Sequence, residues 1–299
     1  MSCELGSLAL EHPVLNGSGT FDAIAAHRAF GDALLDDFPF SAFVSKTITP
    51  EPRAGNPPPR LFETPSGMIN SIGLPNKGLD GFIARDLPLL AELPVPLIVS
   101  VMATDREGFE RLVDGVGGRD EVAALELNVS CPNVKSGLIV GEQPAETHAL
   151  VAALRNRTEK PLVVKLTPNT ADPAAVAVAA EEAGADGVSL INTLRATALA
   201  PGSREPWLGA GSGGLSGPAV RAIALEQVRR VSAAVSIAVI GMGGIETGLD
   251  AADFMASGAD LVAVGTANFR DPGAGIRVRN GLAEAIGDGS SLHLNLRSN

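Results

Sequence analysis

The chain has 299 residues, 45% apolar and 19% charged, a balance that fits a globular fold and excludes a disordered one. Lys and Arg number 23 against 34 Asp and Glu, and the net charge of −11 disfavours contact with nucleic-acid phosphates. Two cysteines, Cys3 and Cys131, are too few for a disulfide framework, a four-cysteine zinc site or an iron–sulfur cluster.

No run of about 18 apolar residues is present, so no membrane span is expected. Met1–Glu11 has neither the basic start nor the apolar stretch of a signal peptide. A soluble, cytoplasmic protein is the expectation.

In chain order, short apolar runs alternate with longer Ala-rich runs. The short ones are Val14–Asn16, Ala42–Lys46, Leu97–Val101, Ala124–Val129, Leu162–Leu166, Gly187–Ile191, Ile237–Ile240 and Leu261–Val264. Each is apolar nearly throughout, as parallel strands buried on both faces require. Between them the sequence predicts helices over Ala23–Leu35, Leu79–Leu90, Arg106–Val116, Pro144–Asn156, Pro173–Ala183, Pro218–Ala233 and Leu249–Ala256, and a last one over Gly275–Ile286. Pro173 and Pro218 sit where a first helical turn tolerates a missing N–H, and Gly184 and Gly258 fall just past helix ends.

Eight such repeats predict an α/β fold, a (β/α)8 TIM barrel, in one domain over residues 1–299. An open doubly wound sheet is the alternative. The Pro-rich stretch 50–59, with Thr64–Asn76 after it, reads as an extended loop insertion after the second strand.

Barrel chemistry sits at strand C-terminal ends. Those ends carry Asn16–Gly19, Lys46-Thr47, Ser100, Asn128–Asn133, Lys165–Thr167, Asn192-Thr193, Gly241–Gly244 and Gly265-Thr266. The last two resemble the phosphate cradle that barrels build from their final strands, and Gly211–Gly217 is a further candidate wall. Lys46 and Lys165 each end an apolar run, as snorkelling surface charges or as cations aimed into a site; a Schiff-base role is also open. Cys131 is either a small buried hydrophobe or a nucleophile with polar company in Asn128, Ser130 and Asn133. The four histidines end no inner strand, so no metal site is expected.

The segment Asn128-Val129-Ser130-Cys131-Pro132-Asn133-Val134-Lys135 resembles the active-site segment of class 1 dihydroorotate dehydrogenases. The likeness extends over nearly the whole chain. It takes in Asn16–Gly19, Lys46-Thr47, Glu51–Arg53 with Gly55–Pro57, Glu63–Leu74, Lys165–Asn169, Ile191–Thr193, Gly213–Gly217 and both late glycine turns.

The resemblance implies FMN-dependent oxidation of dihydroorotate to orotate in pyrimidine synthesis. It assigns Cys131 as the base for the C5 proton, with the C6 hydride passing to flavin N5. An unperturbed thiol titrates near about 8.5, so activity should rise with pH unless the site shifts that value. Substrate contacts fall on Lys46, Asn70, Ser71, Ile72, Gly73, Leu74, Asn128, Asn192 and Thr193. Flavin contacts fall on Ser18, Lys46, Thr47, Ser100, Asn128, Lys165, Ile191, Gly217, Gly243, Gly244, Gly265 and Thr266, with Lys165 at the N1/O2 edge. Ser100 stands where the family often has asparagine, and a weakened or water-bridged FMN contact is expected there. The loop Val134–Gln143, hinged at Gly137 and Gly141, is expected to close over substrate.

A cysteine base points away from class 2, and Gly67–Leu74 with Val134-Lys135 look closest to type 1B. That type implies a separate subunit carrying FAD and a [2Fe–2S] cluster, electrons passed to NAD, and a homodimer at the core of a heterotetramer. The alternatives are a fumarate-using type 1A enzyme, a dihydropyrimidine dehydrogenase-like enzyme, and, on the same fold, a Schiff-base aldolase or phosphate-binding isomerase.

Overall fold

A computed structural model of the protein describes residues 3–130 and 140–287. It opens with a short antiparallel hairpin, β1 (Cys3–Leu5) and β2 (Leu8–Leu10). The barrel begins at β3 (Val14–Asn16). Helices α1 (Ala23–Phe30) and α2 (Ala33–Asp36) follow, and then β4 (Phe43–Val44). Next come β5 (Leu61–Thr64), β6 (Gly67–Asn70), α3 (Gly78–Gly81), α4 (Leu87–Leu90), β7 (Leu97–Val101), α5 (Arg106–Val116) and β8 (Ala124–Asn128). The second half runs α6 (Pro144–Arg155), β9 (Leu162–Lys165), α7 (Pro173–Glu182), β10 (Gly187–Leu190), β11 (Leu194–Ala196) and β12 (Gly213–Ser216). It ends with α8 (Arg221–Ser232), β13 (Ala238–Met242), α9 (Gly248–Ala256), β14 (Leu261–Val264), α10 (Ala267–Arg270) and α11 (Ala274–Gly287).

Eight strands form one parallel sheet in the order β3-β14-β13-β10-β9-β8-β7-β4. The two ends meet without a regular ladder. Ser41 donates its backbone N–H to the Val14 carbonyl at 3.0 Å. The Asn16 carboxamide bonds both the N–H and the C=O of Val44, at 2.8 Å each. The sheet therefore curls into the expected (β/α)8 barrel.

Alternation along the strands sorts the interior into layers. Leu15, Val44, Ile98, Ala124, Val163, Ile240 and Leu261 form one buried apolar cluster with Cys3, Leu5 and Leu10, so the N-terminal hairpin seals the lower end. Two residues further along three of these strands, the inward positions turn polar: Ser100, Glu126 and Lys165, joined by Ser189 from β10. A larger apolar cluster lies outside the strands, under the helices.

The expected helices are present, with local breaks that have physical causes. Gly31, at φ 62°, separates α1 from α2. The predicted Leu79–Leu90 helix widens to a π-turn over Phe82–Asp86, where Leu87 N–H reaches back to the Phe82 carbonyl; Pro88 follows and supplies no N–H of its own. Pro218–Val220 forms a 3-10 turn ahead of α8. Asp22, Asp105 and Asp172 cap α1, α5 and α7 through their side chains.

The extended insertion is more ordered than a loop. β5 and β6 pair with β11 and β12 in a four-stranded antiparallel sheet, β11-β12-β6-β5, which roofs the barrel mouth. Among the described residues, no helix is long and apolar enough to cross a membrane.

Candidate active site

Between this roof and the C-terminal ends of the barrel strands lies a cavity of about 690 Å³. That is the size of a cofactor pocket. Lys46, Asn128, Lys165, Ile191 and Asn192 line it from the barrel strand ends, and Met68, Asn70, Leu215 and Ser216 line it from the roof. Thr193 reaches it because β12 carries glycine opposite: a Cβ on Gly214 would lie 1.9 Å from Thr193 Oγ1.

Hydrogen bonds fix the amides. Asn192 Nδ2 donates to Ser130 Oγ at 2.8 Å and reaches Asn128 Oδ1 at 3.5 Å. Its Oδ1 accepts from the Thr193 N–H at 2.8 Å. Asn70 Nδ2 lies 3.4 Å from the Gly214 carbonyl, across the roof. Such amides can both donate and accept on a planar polar ligand.

The two lysines are held differently. Lys165 is buried, donates to Ser18 Oγ at 2.9 Å and lies 4.0 Å from Glu126 Oε1. Lys46 is open to the cavity, yet the cavity walls crowd it. That partial desolvation lowers its pKa below the usual lysine value, and the charge of Asp22 opposes the shift.

Beneath the floor, Glu126 accepts from Ser100 Oγ at 3.0 Å and from Ser189 Oγ at 3.1 Å, and Ser100 Oγ lies 2.9 Å from Thr47 Oγ1.

The far end is bare backbone. Gly217, Gly243, Gly244, Gly265 and Thr266 all line it. A Cβ on Gly243 (φ 131°) would meet Ala224 Cβ at 2.9 Å, so this turn excludes side chains. A Cβ on Gly265 would meet nothing closer than Thr20 Cγ2 at 3.9 Å and would project into the open cavity. Behind the turn, Asp250 accepts from the N–H groups of Glu246 and Thr247 at 3.0 and 2.9 Å and pairs with Arg221. A bare-backbone end suits an anionic group, and an end with two lysines and three amides suits an electron-rich ring. The residues present fit FMN.

The sequence model for dihydroorotate dehydrogenase matches residues 2–286. The chain belongs to the dihydroorotate dehydrogenase family. Members of this family are flavin-dependent oxidoreductases, and the chain is an enzyme of that kind. It is 46% identical over 283 residues to the dihydroorotate dehydrogenase B (NAD(+)) catalytic subunit of Desulforudis audaxviator, covering 94% of this chain and 91% of the relative. The subunit of the same name from Listeria monocytogenes serovar 1/2a is 41% identical over 273 residues, covering 91% and 88%. Among solved structures, the Eimeria tenella dihydroorotate dehydrogenase, crystallised with ferulenol, superposes with a TM-score of 0.77 at 26% identity, covering 96% of this chain and 84% of that one.

Most residues that the family resemblance singles out line this one cavity: Ser18, Lys46, Thr47, Asn70, Ile72, Leu74, Asn128, Lys165, Ile191, Asn192, Thr193 and the five at the glycine-rich end. Three stand off it. Ser71 is buried and accepts from Asn56 Nδ2 at 2.9 Å. Gly73 turns the chain beside Asn56. Ser100, where a weakened or water-bridged FMN contact is expected, is fully buried and does not line the cavity; its hydroxyl is bonded one layer lower to Thr47 and Glu126. Cys131 and Gly137, with most of the loop Val134–Gln143, lie outside the described residues.

Sequence reasoning passed over Glu126, and also Met102, Met242 and Phe269 on the walls. An acid inside the apolar run Ala124–Val129 was the available signal, because a charge at such a position demands buried partners.

Proposed function

We propose that this chain oxidises dihydroorotate to orotate on bound FMN, as the FMN-carrying barrel of a type 1B enzyme, and passes the electrons to NAD through a separate subunit with FAD and a [2Fe–2S] cluster. The observation that carries the reading is one cavity lined by Lys46, Lys165 and the amides of Asn70, Asn128 and Asn192 and, after the adjacent strands β13 and β14, by bare glycine backbone. FMN, when bound, supplies the acceptor for the hydride that leaves C6.

The chain's own residues do the rest. Gly217, Gly243, Gly244, Gly265 and Thr266 would hold the phosphate through backbone groups. Lys165 would sit at the pyrimidine edge of the ring, where a fixed cation favours negative charge. Ser18, Thr47 and Ile191 would flank the ring. Lys46 carries the positive charge that a substrate carboxylate needs, and a uracil-type substrate has no such group to neutralise. Asn70, Asn128, Asn192 and Thr193 match the donors and acceptors of a planar pyrimidine, and Ile72 and Leu74 close the substrate side. Cys131, which follows Ser130 directly, is assigned as the base that takes the C5 proton, in keeping with the family. Paired catalytic subunits at the centre of a heterotetramer complete the reading.

The test starts from the purified chain reconstituted with FMN. Anaerobic dihydroorotate should bleach the flavin, and Cys131→Ala should keep FMN and lose most turnover. Reoxidation by NAD only when the partner subunit is added supports type 1B, and direct reoxidation by fumarate overturns it. A chain that binds no FMN overturns the reading as a whole.

A further inference from the structure

Glu126 is 3% exposed, in mid-strand, between Leu125 and Leu127. A carboxylate there is costly to bury, and a buried ion pair is seldom a net source of stability. A neutral side chain of the same shape would satisfy the same two serines. The charge itself therefore needs an explanation, and its neighbours supply one.

Each oxygen of Glu126 takes a hydroxyl proton, Oε1 from Ser100 at 3.0 Å and Oε2 from Ser189 at 3.1 Å. Oε1 also lies 4.0 Å from the Lys165 ammonium, which donates to Ser18 at 2.9 Å and lines the cavity. Ser100 has one proton and gives it to Glu126, so Thr47 must donate to Ser100 and offers only lone pairs to a ligand. Ser18 accepts from Lys165, which leaves its own proton free for the cavity. One buried carboxylate thus sets the donor and acceptor sense of the floor and anchors its cation.

The geometry points to Glu126 as a positioning residue, a counter-charge that fixes Lys165 in the cavity floor and limits the positive charge that the edge of the ring would feel. The inference rests on the FMN reading above. Its consequence is a flavin tuned between two states, one with an uncompensated lysine and one with no lysine at all.

The test compares FMN-loaded wild type, Glu126→Gln and Lys165→Met by sulfite titration and by flavin midpoint potential. Sulfite adds to the oxidised ring and leaves it anionic, so its affinity reports positive charge at the ring independently of turnover. Glu126→Gln keeps the shape and removes the charge. Sulfite should bind it at least tenfold more tightly than wild type, and its midpoint should move to more positive values. Lys165→Met should move both quantities the other way. Glu126→Asp, which keeps the charge but draws it back from Lys165, should shift both in the same direction as Gln by less, and it serves if the Gln variant does not fold. Wild-type sulfite affinity in the variants that fold and bind FMN, with only thermal stability changed, makes Glu126 a structural residue and overturns the proposal. A wild-type chain that takes up no FMN overturns the FMN reading and this inference with it.

Discussion

The carboxamide of Asn16 stands in for a missing stretch of β-ladder by bonding both the N–H and the C=O of Val44. The residues on either side of Val44, Phe43 and Ser45, send their N–H groups the other way, to the carbonyls of Pro96, just before β7, and of Ile98 within it. The peptide groups of Val44 therefore face β3, where one fully buried side chain receives them. Asn16→Ala removes three buried hydrogen bonds, two with Val44 and one to the Gly17 carbonyl, and strands the donor and the acceptor of Val44. A loss of about 2–4 kcal/mol is expected, measured by urea unfolding of the apoprotein. A change within about 0.5 kcal/mol, the range of ordinary surface substitutions, would show that the seam holds without the amide.

Lys46 is expected to trade stability for chemistry. Crowding lowers its pKa in the folded chain, so folding disfavours the ammonium. Below the folded pKa both states carry the proton and the full cost is present. As pH rises from the folded pKa towards the unfolded one, the folded chain sheds the proton first and the cost is relieved. Lys46→Met should therefore melt higher than wild type near about pH 7, with the gap narrowing towards about pH 10. Turnover with dihydroorotate should fall by about 10²–10³.

Gly265 offers a clean test of the bare end of the cavity. A Cβ there has open space around it, so Gly265→Val should leave apoprotein stability nearly unchanged. FMN affinity should drop at least about tenfold, or about 1.4 kcal/mol, as read by flavin fluorescence on titration. Undiminished affinity would place the anionic end of the cofactor elsewhere.

Asp250 acts from behind the same end. Its carboxylate caps α9 in a reciprocal box with Thr247 and also holds Arg221. Asp250→Ala should cost about 1–2 kcal/mol in thermal or chemical unfolding. It should also weaken FMN retention on gel filtration, because the turn from Gly243 to Thr247 loses its clamp. Arg221→Ala should reproduce the second effect more mildly.

The barrel was legible because its strands are buried on both faces and their apolar runs stand out from Ala-rich helices. Their observed bounds differ from expectation by a residue or two, as at β4, where the run Ala42–Lys46 contracts to Phe43–Val44 beside the seam. The roof sheet was not legible. Leu61–Thr64 is half exposed, and Gly213–Ser216 has two glycines where strands favour β-branched residues. Those glycines serve close approach to Asn70 and Thr193, a demand that arises only once distant segments have met. Most of the candidate site was readable from strand ends. Ser100 was named at a strand end but its depth was not readable, because strand position alone does not say which side chains reach the mouth and which stop one layer below it, and Glu126 showed only as an acid inside an apolar run.

The roof has a consequence for the order in which the molecule assembles. Asn70 meets the Gly214 carbonyl across 144 residues, and Thr20 meets that of Val264 across 244. Contacts that close such long loops are entropically expensive and form slowly. On the ribosome, the cavity has no complete wall until the last barrel strand has emerged. Cofactor capture is then among the final events of biogenesis, and a chain stalled short of β14 would be a partly built scaffold without a binding site.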